Sequence, residues 1–403
     1  MKRILTFILT LTLALSFCVN SFAAATTATA SETQTGTSEA QTDTSKTQAG
    51  TSEAQTDTSK VQAGASYGIS NLSGAPDIVA ESAVVMDANT GTILYGKEAD
   101  TKRYPASITK VMTALLAVEN CKMSDVITYS NAAVNGIEAG SSTAGINVGA
   151  KLTVEDSLYA LMLVSANEAA AAIAEHISGS TTEFAKLMTK RAKELGCTHT
   201  PFKNPHGLPN EEHYTTAHDM GLILKEAMKH EEFRKISGTI SYTLKKSDTL
   251  KDTLELWNHA KILRENSDYY YKSAEGAETG FTQVALNTLV TYAKKDNVEL
   301  ICVILKDYGA DKSYTDTANL FKWAFNQVKS VTPLTDFSLK TAMTANTSID
   351  SSKLDQIQLL NSVYDKNFSV LVKKDFNESD LKTAFKLDED KKTGRLGYIV
   401  ISC

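Results

Sequence analysis

The sequence predicts an α/β (α+β) fold, with one sheet built from strands early and late in the chain, a helical middle, and a small all-β domain at the C-terminus. Three observations carry this. Residues Ala83 to Tyr95 read as two strands around an Asn89-Thr90-Gly91 turn. Gln283–Ala293 and Val298–Leu305 are rich in Val, Leu and Ile, with Lys294–Asn297 between them as a hairpin loop. The intervening region is dominated by helical patterns, so the early and late strands become neighbours in one sheet.

The first helix is the most informative. Ile108, Val111, Met112, Leu115 and Leu116 recur at helical spacing, which turns one stripe toward a core. Pro105 suits the first turn, where a missing N–H costs little. Residues three apart on a helix are neighbours, so the Ser107 hydroxyl can meet the Lys110 amine. A serine needs a base to become a nucleophile, and a partly buried lysine can be that base. Further helix starts are marked by Thr153 with Asp156, Ser165 with Glu168, Ser180 with Glu183 and Thr216 with Asp219. Gly196 can close the third of these helices, and the fourth runs to about Lys229. A last helix is expected over Thr315–Val328, with Leu320, Phe321 and Trp323 toward the sheet. From about Val331 the pattern changes to short strands and turns.

The chain opens with an export pattern. Lys2 and Arg3 precede an apolar run from Ile4 to Phe17, and Ser21-Phe22-Ala23-Ala24 offers small residues for cleavage after Ala23 or Ala24. The run is short for a membrane span, and bulky Phe17 argues against lipid attachment at Cys18. Residues 1–24 are thus expected to be a signal peptide. Residues 25–76 read as a Thr/Ser/Gln/Ala-rich linker containing two 14-residue repeats, in which Thr37–Lys46 returns unchanged as Thr51–Lys60. Such a composition buries too little apolar surface to offset its ordering entropy. After it come the main domain, 77–330, and the small β domain, 331–403.

The formal net charge of −6 is mild and no basic cluster points to nucleic acid. Cys121, Cys197, Cys302 and Cys403 are scattered without a C-x-x-C pair, so no zinc site or disulfide framework is indicated. No cofactor is called for, and no transmembrane anchor is apparent in the mature chain. His199, His206, His213 and His218 cluster, but a structural role is expected for them and no metal site. Glu155 and Asp156 are adjacent on a helix, point apart, and read as first-turn charges that suit the helix dipole.

Ser107-Ile108-Thr109-Lys110 is joined downstream by Ser165-Ala166-Asn167, between two helices, and by Thr279-Gly280-Phe281-Thr282, leading into a late strand. S-x-x-K, S-D-N and K-T-G occur together in penicillin-binding proteins and class A β-lactamases. With Tyr104–Thr113, Leu152–Asp156, Phe202–Leu208 and His213–Asp219, the sequence closely resembles the serine D-alanyl-D-alanine carboxypeptidases, the low-molecular-weight penicillin-binding proteins, over about residues 77–330. The resemblance implies a serine β-lactamase/D,D-peptidase-like domain, an antiparallel sheet flanked by helices. The region after it resembles the family's β domain, without the amphipathic anchoring helix many members carry.

The same resemblance implies roles. Ser107 would attack the carbonyl between two D-alanines of a peptidoglycan stem peptide, with Lys110 as general base. Ser165 would relay a proton to the departing D-alanine. Asn167 would hydrogen-bond substrate and Lys110, and the N–H groups of Ser107 and Phe281 would form an oxyanion hole. Glu278, Thr279, Gly280 and Phe281 would border the substrate. β-Lactam antibiotics would acylate Ser107, and the protein would act outside the cytoplasm, at the cell wall or outer membrane face, or secreted. The chain departs from the family at two points. Glu278 stands where the family has the Lys of K-T-G, which turns attraction for the substrate carboxylate into repulsion and is expected to raise the Lys110 pKa. Lys272 is a candidate to compensate. Ala260 stands where related chains often have an Asn. The alternatives are a penicillin-binding-like protein that holds wall peptides with little or no turnover, favoured by Glu278, and a β-lactamase, against which stand the extra β domain and the lack of a distinct deacylating carboxylate motif.

Overall fold

The computed structural model describes residues 14–15, 72–336, 367–390 and 395–402. Most of the expected signal peptide and linker lies outside these residues. Contacts divide the chain into two units, one comprising 62–337 with 365–379 and the other 1–61, 338–364 and 380–403. In the second, Lys382–Asp390 and Arg395–Ser402 pair antiparallel, with Ala14–Leu15 parallel beside Arg395–Ser402.

The larger unit is organised around a five-stranded sheet of β1 (Ser82–Asp87), β2 (Ile93–Lys97), β3 (Ala274–Thr282), β4 (Leu286–Lys295) and β5 (Val298–Asp307). The strand order is β2-β1-β5-β4-β3 and every pairing is antiparallel. The early and late strands of this unit are therefore joined by β1 against β5, as the sequence pattern requires. The expected four-residue loop between the late strands shrinks to Asp296-Asn297, with Asp296 left-handed at φ 54°. The turn after β1 is held by Asp87, whose carboxylate accepts from Asn89 N and Thr90 Oγ1.

Alternation along the strands feeds two cores. Val84, Met86, Ile301, Val303 and Val290 face a core shared with most of the helices, whereas Val85, Leu300, Cys302, Ile304 and Leu289 face the other. The second core is covered by α8 (Ala310–Gln327), which starts five residues before the expected Thr315 and buries Leu320, Phe321 and Trp323 against the sheet. After α8, Val328–Val331 pairs with Val370–Lys373, which places residues on both sides of the expected 330/331 boundary in the larger unit.

The helical half comprises α1 (Lys110–Asn120), α2 (Asn131–Asn135), α3 (Val154–Leu163), α4 (Asn167–Ser178), α5 (Thr181–Glu194), α6 (Ala217–Ala227) and α7 (Glu231–Gly238). Thr153 and Asp156 form a reciprocal capping box, and Ser180 and Thr216 accept from the N–H groups of Glu183 and Asp219. Gly196, at φ 91°, follows the end of α5. Ser165 differs from expectation. The residue at the cap of α4 is Ala166, with no side-chain cap, and Ser165 is itself left-handed at φ 56°.

The first helix also departs from a one-sided stripe. Every residue from Lys110 to Ala117 is buried, because α1 is packed against α3, α4, α5, α6 and α7. A helix enclosed on all sides needs no polar face, and its one cation must find partners inside the protein. Leu115→Ala, at a fully buried position, is expected to cost about 2–5 kcal/mol, the usual range for truncating a core leucine. Urea unfolding of the two proteins measures it.

Candidate active site

Ser107 lies in a short 3₁₀ segment, Ala106–Thr109, that runs directly into α1. Three residues per turn eclipse positions i and i+3, which brings Lys110 Nζ to 3.1 Å from Ser107 Oγ. The amine also donates to the carbonyl oxygen of His206 at 3.0 Å. The segment is held by unusual backbone. Ala106 is left-handed at φ 52°, a conformation that non-glycine residues adopt only under constraint. Two glycines provide the constraint by close approach. A Cβ on Gly207, at φ +87°, would fall 1.8 Å from Ala106 O, and one on Gly280 would fall 2.8 Å from Ser107 N and 2.4 Å from Thr288 Oγ1. Thr288 Oγ1 in turn donates to Pro105 O at 2.8 Å.

β3 is an edge strand of the sheet, and its alternation decides what enters the site. Gly276, Glu278 and Gly280 share one face. Cβ atoms added at Gly276 and Gly280 would meet Ser237 on α7 and Ala106 with Ser107, so this face is turned to the helical half. Glu278 is accordingly buried, 3% exposed, whereas Phe281 on the alternate face is 62% exposed.

The third contribution comes from the α3–α4 junction. Ser165 and Asn167 are buried there. Asn167 N donates to Ser142 O at 2.9 Å, and Glu168 Oε1 accepts from Thr143 Oγ1 and Ala144 N, both at 2.7 Å. These bonds fasten the 138–146 loop to the start of α4. The resulting cleft of about 720 Å³ is lined by Ser107, Ser165, Asn167, Thr279, Gly280 and Phe281, among others. Ser165 Oγ, Asn167 Oδ1 and Glu278 Oε1 make no hydrogen bond within the protein. Three unsatisfied buried polar atoms around one hydroxyl–amine pair are costly in a stable core and are understandable where a polar ligand enters.

Burial dominates the electrostatics. Lys110 is wholly enclosed, and desolvation lowers its pKa to about 8 even though Glu278 and Glu168 act in the opposite direction. The expectation that Glu278 would leave Lys110 with a raised pKa is thus overturned, because loss of water outweighs the nearby carboxylate. Glu278 is itself pushed up to about 8 by burial, against the pull of Lys110 and Ser165 toward its ionised form. Ser165 exerts this pull without a hydrogen bond of good geometry to Glu278 Oε1. Near neutral pH Glu278 therefore holds its proton.

A family model described as D-alanyl-D-alanine carboxypeptidase, peptidase family S11, matches residues 70–309. The chain belongs to this family. It is a serine peptidase, a hydrolase with D-Ala-D-Ala carboxypeptidase function in general. It is 33% identical over 332 residues to the D-alanyl-D-alanine carboxypeptidase DacF of Bacillus subtilis (strain 168), covering 80% of this chain and 81% of that one. Against DacA of Escherichia coli (strain K12) identity is 30%, over 65% of each chain. Among solved structures, the Streptomyces K15 DD-transpeptidase superposes with a TM-score of 0.58 at 30% identity, covering 63% of this chain and 99% of that one. A D-alanyl-D-alanine carboxypeptidase from Mycobacterium tuberculosis H37Rv gives 0.58 at 26% identity, with 64% and 95% covered.

The structure thus brings Ser107, Ser165, Asn167, Thr279, Gly280 and Phe281 to one cleft of this carboxypeptidase, with Lys110 buried beside Ser107 and Glu278 beneath the cleft. The Asn167–Lys110 hydrogen bond implied by the resemblance is not formed, the amine's partners being Ser107 Oγ and His206 O. Lys272 is exposed and precedes β3, near the opposite end of the strand from Gly280. It is not among the residues lining the cleft. Ala260 is buried and donates its N–H to Asn258 Oδ1 at 2.9 Å. The clustered histidines have other work. His213 Nδ1 accepts from Lys203 N, so its Nε2 carries the proton and donates to Thr109 Oγ1 at 3.0 Å. His218 Nδ1 faces Asp100. Sequence reasoning missed the His206 carbonyl, Thr288 and Glu168. The quoted Phe202–Leu208 motif was a signal for the first, Glu168 was read only as a capping partner of Ser165, and nothing local marks Thr288.

Two outcomes are expected. Gly280→Ala forces Ser107 N and the neighbouring strand apart, and a misplacement of this kind costs on the order of 100-fold in rate. Stopped-flow acylation by a chromogenic β-lactam reads that loss. Glu278→Gln removes a carboxyl group that ionises over the pH range in which Lys110 titrates and there favours the ammonium form, so the lysine loses its proton at lower pH. The acidic limb of the kcat/KM profile, expected near pH 8 in the parent protein from the lysine pKa of about 8, moves to lower pH in the variant.

Proposed function

We propose that this protein is an exported serine D,D-carboxypeptidase that removes the terminal D-alanine from peptidoglycan stem pentapeptides through an acyl-enzyme on Ser107. The observation that carries the proposal is Lys110 Nζ at 3.1 Å from Ser107 Oγ, enclosed and with its pKa drawn down to about 8. An amine so placed can exist as the free base and take the serine proton. Ser107 Oγ then bonds to the carbonyl carbon of the penultimate D-alanine. The charge developing on the carbonyl oxygen meets the N–H groups of Ser107 and Phe281. As the C–N bond breaks, Ser165 gives its proton to the leaving nitrogen and is reprotonated from Lys110. A water molecule, deprotonated by Lys110, hydrolyses the ester and regenerates Ser107. Asn167 and the outer edge of β3 orient the extended peptide, since an edge strand offers unpaired N–H and C=O groups. β-Lactams enter the same cycle and stop at the acyl stage.

Export rests on the charged start, apolar run and small residues before Ala25. Among the described residues no helix is long and apolar enough to cross a membrane. Glu278 favours a second reading of the same site, a weakly active protein that binds wall peptides with slow turnover, because a neutral or negative group replaces a docking cation. One experiment addresses the main reading. Mass spectrometry of the secreted protein after exposure to a penicillin is expected to show a chain beginning at Ala24 or Ala25 with one covalent adduct. Ser107→Ala is expected to lose the adduct. An adduct retained by Ser107→Ala refutes the assignment, and an intact Met1 or a lipidated Cys18 refutes the export reading.

A further inference from the structure

We infer that the leaving-group side of this cleft selects a residue whose carboxyl end is uncharged, such as a D-alanine carried as an amide, over a D-alanine with a free carboxylate. The inference rests on the carboxypeptidase reading above and specifies which substrates that site accepts.

The terminal D-alanine of a stem peptide carries a carboxylate, and enclosing it requires a cation or several convergent donors. Among the described residues, no Lys or Arg lines the cleft. The one acidic side chain that does, Glu138, is exposed at its rim. Of the nearby cations, Arg264 donates to Asn258 O at 2.7 Å and Lys261 faces Asp311 at 3.9 Å. His259 lines the cleft, but burial lowers its pKa and so favours its uncharged form. Lys110 must itself be neutral to accept the serine proton, so in the reactive form it adds no positive charge at the cleft. Glu278 beneath the strand is neutral or negative in every state. The start of α8 also borders the cleft through Ala310 and Ser313. Asp311 sits in its first turn and Asp307 Oδ1 accepts from Gly309 N at 3.2 Å, so its positive end is already offset.

What the cleft does offer is neutral and two-way. Thr279, Thr282, Ser313 and Asn287 line it, and hydroxyl and amide groups both donate and accept. A carboxamide, with one acceptor and two donors, matches that lining. A carboxylate, an acceptor only, leaves part of it unmatched. The chemical step is the same for either substrate. The Ser107 Oγ–carbon bond forms, the C–N bond breaks, the nitrogen gains a proton by way of Ser165, and water later releases the acyl group.

The test compares two diacetylated tripeptides ending in D-Ala-D-Ala, one as free acid and one as carboxamide, with the mature full chain. The carboxamide is expected to show a kcat/KM higher by about tenfold or more, the size typical of burying a charged group without its partner. Glu278→Lys is expected to shift the ratio of the two constants toward the acid by about tenfold, which cancels any intrinsic difference between the leaving amines. Val284→Lys serves as a second variant, because Val284 lines the cleft yet is 50% exposed and tolerates a lysine. It is expected to shift the ratio the same way, less strongly, with the shift shrinking as salt is raised. Penicillin acylation of Ser107 together with preference for the acid overturns the inference and leaves the carboxypeptidase reading intact. Acylation without cleavage of either peptide also overturns the inference. Absence of both acylation and cleavage overturns the two readings together.

Discussion

Desolvation of a single amine is the constraint on which this structure depends. Lys110 sits at the start of a helix enclosed by five others, with no exposed surface. An ammonium group kept from water loses much of its preference for the proton, and that loss converts an ordinary lysine into a base within reach of Ser107. The surrounding arrangement serves this end. The amine donates to the Ser107 hydroxyl and the His206 carbonyl, both of which it can still satisfy once neutral. The His206 carbonyl reaches it because Gly207 lets the 204–208 turn press against Ala106, where any side chain would collide.

The same close approach explains why Ser107 lies in a 3₁₀ turn. Ala106 in a left-handed conformation is unfavourable alone. Gly207 on one side, Gly280 on the other and the Thr288–Pro105 hydrogen bond leave it little alternative. Ser165, left-handed at φ 56°, occupies a similar position at the junction of α3 and α4. Two residues in strained backbone beside the cleft are compensated by the large cores around them, into which the sheet and helices bury Val, Leu, Ile and Ala side chains.

Glu278 changes the character of the site without dismantling it. Strand alternation requires its side chain to face the helical half, where it is fully enclosed and meets Lys110 and Ser165 through space. Each of two buried ionisable groups of opposite type is pushed toward its neutral form, and each also favours the charged form of the other. Burial prevails for both, drawing the lysine down to about 8 and the glutamic acid up to about 8. In the proposed reading the base at Ser107 is preserved, while Glu278 supplies no positive charge for a terminal carboxylate. On the proposed reading, catalytic competence and substrate choice depend on different groups, an enclosed amine in one case and the lining of an open cleft in the other.

The sequence alone determined the elements with strong periodicity and clear punctuation. The β1–β2 and β4–β5 hairpins, the capped starts at Thr153, Ser180 and Thr216, and the pairing of Ser107 with Lys110 were legible, since each is set by residues within a few positions of one another. The motifs Ser165-Ala166-Asn167 and Thr279-Gly280-Phe281 were legible as candidates by their order. Other features were decided only in three dimensions. Ser165 has the spacing of a helix cap, yet its left-handed backbone moves the cap to Ala166 and leaves its hydroxyl free beside the cleft. The helix after Ser107 shows an apolar stripe in sequence but is buried on every side, because burial depends on how many neighbours pack around a helix and not on its own pattern. Lys272 lies close to Glu278 in sequence, yet a strand carries its two ends far apart. The direction of the Lys110 pKa shift was likewise beyond local reading. A nearby carboxylate can be inferred from a motif, but desolvation is a property of the whole enclosure, and here it is the larger effect.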